Sequence, residues 1–151
     1  MSNALFHETG ELMRETFEGG RPGEGTQYLD HDSGILNTLR GLSAAQASQP
    51  NGNHPSIAAH VRHMIFHLKV AYEWIGGDHS KRDWKGSFLP QAATPEEWSG
   101  LLTQIVETKA EYLRVLQALP PDRLISEGGA MGVIAHLAYH LGAIRQHLPS
   151  A

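Results

Sequence analysis

Apolar residues recur at intervals of three and four in several separate stretches of this chain, the spacing of a helix that buries one face. From about residue 26 the stripe is Tyr28, Leu29, Ile35, Leu36, Leu39 and Leu42, with Asp32 in the same register. Over 55–75 it is Ile57, Val61, Met64, Ile65, Leu68, Tyr72 and Ile75. Thr94-Pro95-Glu96-Glu97 then supplies a capping signal with proline at the first helical position, and Trp98, Leu101, Leu102, Ile105, Val106, Leu113 and Leu116 follow. The last stripe, over 130–147 and one residue beyond, carries Met131, Ile134, Leu137, Leu141, Ile144 and Leu148. Arg145 is its only ordinary charge, which predicts that it is the most buried of the four. An opening segment, 4–17, predicts a further short helix that ends at Gly19-Gly20 and Arg21-Pro22-Gly23.

Strand signals are nearly absent, because sustained apolar/polar alternation does not occur. The breaks are explicit: Asn51-Gly52-Asn53 and Pro55 before the second stripe, Gly76-Gly77 after it, and Pro120-Pro121 beyond the third. Between the second and third stripes lies 77–93, about 17 residues and the longest connection. Extended chain covers roughly 3.3 Å per residue, so such a segment can run the length of a helix and return to its far end. The expected architecture is therefore all-α: a four-helix bundle with one long crossover connection between helices two and three, its middle helices parallel. Trp84 and Phe88 are placed to anchor the crossing segment.

Composition narrows the class. With 151 residues, 40% apolar and 19% charged, the chain has the size and hydrophobicity of a single domain spanning 1–151, its core at about 26–148. Its net charge of -4 is spread without a basic run, which argues against nucleic acid as a partner. No stretch approaches the apolar length of a membrane span, and the first residues lack a leader pattern, so the expected location is the cytoplasm. The absence of cysteine removes disulfides, a thiolate nucleophile and sulfur-ligated metal sites. Ten histidines are left as the feature to explain.

Six of them fall on two helices. His60, His63 and His67 lie within roughly a 60° sector at 100° per residue, on the side of helix two largely opposite Arg62, Lys69 and Glu73. His136 and His140 form an i, i+4 pair on helix four, with His147 in the same sector. Buried imidazoles need partners for their nitrogens, and one divalent ion satisfies several at once. The i, i+4 pair is a chelate, and one histidine of helix two would complete a three-nitrogen site with positions left open, the pattern of catalytic rather than structural metals. Leu137 follows His136, so the zinc-peptidase HExxH pattern is missing. His7, His31, His54 and His79 read as surface residues near ends or loops, with His79 within reach of a site mouth. Tyr139 and Trp84 are pocket-wall candidates; core packing for Tyr139 and loop pinning for Trp84 are the simpler expectations.

Two runs carry a resemblance. Ser56-Ile57-Ala58-Ala59-His60-Val61-Arg62-His63 and Ala135-His136-Leu137-Ala138-Tyr139-His140-Leu141-Gly142-Ala143-Ile144-Arg145-Gln146 resemble the DinB-like family of small helical bundles, over most of the chain from about residue 26. The resemblance implies three metal-binding histidines, His63, His136 and His140, holding nickel, zinc or iron, often in a homodimer. Geometry alone puts His60 and His67 at least as far inward as His63. Some relatives are thiol-dependent transferases, which implies a metal-dependent enzyme that takes a low-molecular-weight thiol and a small-molecule substrate, with His60 or His67 as general base. A metal-dependent hydrolase fits the same three ligands. A non-catalytic binding or dimerising protein, whose histidines are core residues or whose metal only stabilises the bundle, is the alternative from another class; a third reading is a sensor in which occupancy alters dimer packing through a face bearing Leu101 and Val115 or Tyr112.

Overall fold

A computed structural model describes residues 2–124 and 129–149; residues 1, 125–128, 150 and 151 of the expected single domain lie outside the described residues. Among the described residues there are six α-helices, two 3₁₀ turns and no strand. Helix α1 spans Ser2–Glu18, α2 Ile35–Arg40, α3 Ala44–Ala47, α4 Ile57–Ile75, α5 Pro95–Gln117 and α6 Ala130–Arg145, with 3₁₀ turns at Gly86–Phe88 and Pro121–Arg123. No helix among them is long and apolar enough to cross a membrane.

The helix starts follow from local chemistry. Ser56 and Thr94 each accept a hydrogen bond from the backbone N–H three residues on, at 3.1 Å, so α4 begins one residue after Ser56 rather than at Pro55. Ser43 and Gln46 form a reciprocal capping box that starts α3. Helix α4 is the central element: it packs against α5, α6 and the 86–88 turn, while α6 meets α1 on another flank. Met64 and Leu68 of α4, Ile105 and Leu116 of α5, and Leu137 and Ile144 of α6 are fully or almost fully removed from solvent in one apolar cluster.

Three expectations are corrected. The stripe from residue 26 is not one helix: 26–33 is a turn-rich strap and only 35–40 is helical, followed by the separate α3. The reason is tertiary. The buried carboxylate of Glu15 on α1 accepts from the backbone N–H groups of Gln27, Tyr28 and Leu29 at 2.6–3.0 Å, holding those residues out of a helix. The opening segment is helical as expected, over Ser2–Glu18, but its Met13 and Phe17 are completely buried, so the core extends well before residue 26. Lastly, α6 is not the most embedded helix; it leaves Met131 and Tyr139 exposed, and α4 buries more residues.

The long connection does return along α4. It leaves the C-terminal end of α4 and is bound near the opposite end, where Ser56 donates to Gln91 from its backbone nitrogen at 2.8 Å and from its hydroxyl at 2.5 Å. Arg62 donates to the carbonyls of Pro90 and Ala92, at 2.5 and 2.9 Å, and reaches Glu97 at 3.1 Å. This lays Trp84, Ser87 and Phe88 against the histidine-bearing face of α4.

Candidate metal centre

Helix α4 supplies His60, His63 and His67, α6 supplies His136 and His140, and the 86–88 turn closes over them. The Nε2 atoms of His63 and His136 are 3.0 Å apart, and those of His136 and His140 3.1 Å. One ring nitrogen from each of the three lies within 4.8 Å of the others, a grouping that could hold a metal ion. Nitrogens bonded to one ion at about 2.0–2.1 Å lie roughly 2.9 Å apart at octahedral angles and 3.4 Å at tetrahedral ones. The observed separations fall between these limits, so the donor set fits a divalent cation with imidazole affinity.

The far sides of two of the three rings, His63 and His140, are held as ligands require. Ser87 Oγ donates to the Trp84 carbonyl at 2.5 Å, which spends its one proton. Toward His63 Nδ1, at 2.7 Å, it can therefore only accept, so the His63 proton sits on Nδ1 and the Nε2 lone pair faces the cluster. His140 Nδ1 lies 2.9 Å from His60 Nδ1. With a proton on the His140 side of that contact, Nε2 of His140 is likewise left as a lone pair. Phe88 stacks on the His63 ring at 3.9 Å and 9°, and His67 stacks on His136 at 3.7 Å and 17°.

Electrostatics favours the neutral, ligating form. Burial holds His60 and His63 down to about 4, with His147 and His54 adding repulsion for the first and His67 and His60 for the second. Burial and then the neighbouring imidazoles hold His136 and His140 down to about 3. His67 is lowered by burial as well. No histidine of the cluster pairs with a carboxylate among the described residues, so nothing nearby rewards protonation.

The two readings of helix two are thereby reconciled. His60 and His67 do point inward, yet His60 meets His140 from behind and His67 lies against His136, while His63 reaches the common point. The Nδ1 atoms of His67 and His136 are buried without a hydrogen-bond partner. Trp84 both pins the loop, edge-on to Phe66 at 5.1 Å, and lines a cavity of about 640 Å³ that reaches His63. Tyr139 is not in the core: it is 73% exposed, its ring edge-on to His140. His79 does not lean over the site; it stacks on Trp74 and contacts its carbonyl at 3.0 Å. Leu101 and Tyr112 are buried in the core, which removes them from any pairing face. Ser87 escaped sequence reasoning, since a lone serine in a loop carries no periodic or spacing signal.

Comparison of the chain with known protein families, with curated proteins and with solved structures returns no match.

Proposed function

We propose that this chain is a divalent-metal protein of the DinB-like kind, a metal-dependent enzyme that uses a low-molecular-weight thiol to transform a small molecule. The observation that carries the reading is the meeting of three imidazoles from α4 and α6, with His136 Nε2 3.0 Å from that of His63 and 3.1 Å from that of His140, and one ring nitrogen of each within 4.8 Å of the others. The return of 77–93 to the start of α4 supports the accompanying architecture, a bundle of α1, α4, α5 and α6 with one crossover. His63, His136 and His140 hold the ion, and a donor set of three imidazole nitrogens makes zinc, nickel or iron the suitable choices.

A divalent ion at this point supplies a Lewis acid that favours the ionised form of a thiol and polarises a substrate oxygen. The protein's own groups do the rest. Ser87 fixes the ring of His63, and His60 fixes that of His140, so His60 is a positioning residue rather than the base. With His60 occupied there, three protein nitrogens, those of His63, His136 and His140, would be left to hold an ion, the number typical of catalytic rather than structural sites. His67, neutral near pH 7 because burial lowers its affinity for protons, is the group assigned to take the thiol proton. Trp84 and Phe88 shield the His63 side from bulk water.

Cobalt substitution tests the thiol directly. Titration with glutathione and with cysteine is expected to shift the visible spectrum of the cobalt protein. Indifference to every thiol, together with cobalt-dependent ester cleavage, would overturn the transferase in favour of hydrolysis at the same three ligands.

A further inference from the structure

The cavity of about 640 Å³ that reaches His63 has a one-sided lining. Trp84, Phe88 and Leu89 give it an apolar wall. Lys85 stands in the same lining, exposed, its ammonium without an ion pair or hydrogen bond among the described residues. Among the described residues no carboxylate lines the cavity, and the acid nearest to Lys85 in sequence, Asp83, accepts from the backbone of Gly86 at 3.0 Å. An apolar wall beside one uncompensated cation suits a ligand with a flat apolar body and an anionic end.

From this lining we infer that the cavity takes an organic anion with an aromatic-sized apolar body, seated against Trp84 and Leu89 with its charge toward Lys85. The inference names the substrate class for the metal-dependent reaction proposed above and rests on that reading for its chemistry. The binding preference itself needs only protein side chains. The cavity is large enough for a two-ring molecule, since drug-sized ligands occupy roughly 300–1,000 Å³. Its contact with His63 brings such a ligand to the edge of the histidine cluster. The apolar groove between α1 and α6, lined by Leu5, Leu12 and Met131, lacks a lysine or arginine and is the internal control.

The test is calorimetric binding of 2-naphthoate and of its neutral isostere 2-naphthamide, to the metal-loaded protein and to the same preparation after chelation. The anion is expected to bind roughly three- to tenfold tighter than the amide in both forms, the worth of one partly exposed charge pair. Lys85→Ala is expected to erase that preference. Leu89→Asp, at a 61% exposed position, is expected to abolish anion binding, whereas Met131→Asp in the other groove leaves it intact. Equal affinities for the two probes, or a preference that survives Lys85→Ala, would overturn the inference. Metal content measured on the same samples separates the two failures: loss of anion preference with metal retained sinks only this inference, and a preference without any metal uptake sinks only the metal reading.

Discussion

A single hydroxyl decides how His63 presents itself. Ser87 gives its proton to the Trp84 carbonyl and must accept from His63, which places the lone pair of Nε2 at the cluster. Partners of this kind are typically worth about 10- to 100-fold in metal affinity. Ser87→Ala is therefore expected to weaken zinc binding about tenfold in a chelator competition, with the circular dichroism of the helices unchanged. Ser87→Thr, which keeps the hydroxyl, is expected to restore most of it; affinity unchanged in Ser87→Ala would show that the contact does not orient the ligand. The sequence made the candidate histidines legible because i, i+3 and i, i+4 spacings put them on shared faces. It could not rank His60, His63 and His67, because a helical wheel carries direction but neither reach nor the identity of the group behind each ring. His60 is as inward as His63, and its nitrogen is already committed to His140.

At the scale of elements, the informative segment is 26–33. Its apolar spacing is that of a helix, yet one carboxylate from α1 draws its backbone donors into a strap. Periodicity records which residues face inward, and a buried acceptor thirteen residues upstream of Tyr28 has no periodic signature. Where caps and breakers lay within the segment itself, as with Thr94-Pro95 and Gly76, the sequence placed helix ends within a residue or two. Gly19 completes the junction between α1 and the strap: its φ is +80°, and a Cβ there would stand 2.6 Å from the His31 carbonyl oxygen. Burial raises the proton affinity of Glu15, but the three backbone N–H groups and the Arg14 guanidinium outweigh it and leave its pKa below the ordinary value of 4.5. A lowered folded pKa means stability that is complete above 4.5 and is lost as pH falls through the lower value. Glu15→Ala strands those donors and is expected to cost about 1–3 kcal/mol in urea denaturation at pH 7. The gap from wild type is expected to shrink below pH 4.5. A gap that persists unchanged in acid would contradict the role given to the ionised carboxylate.

Over the whole molecule, the histidine cluster sits where three elements meet: α4 in the centre, α6 beside it, and the returning segment across the top. The all-α class was readable, because helical periodicity and breaker residues are local properties of the chain. The place of α1 was not, since its 17 residues show their role only once Met13 and Phe17 are seen inside the shared core. The same holds for α6, whose scarcity of charge suggested full burial although Tyr139 and Met131 face outward. What the molecule gathers at the meeting point is a set of neutral imidazoles, with no carboxylate among the described residues to answer them, and the Nε2 atoms of His63 and His140 both close to that of His136. The account stands on the claim that this point binds one divalent ion. The most direct measurement is metal per chain, by mass spectrometry, in untagged protein loaded with zinc, nickel or iron and then freed of excess. About one ion per chain is expected in the wild type and in His79→Ala, where the ring lies away on Trp74, and little or none in His63→Ala, His136→Ala and His140→Ala. A wild type that takes up no metal, or ligand variants that keep it, would contradict the account.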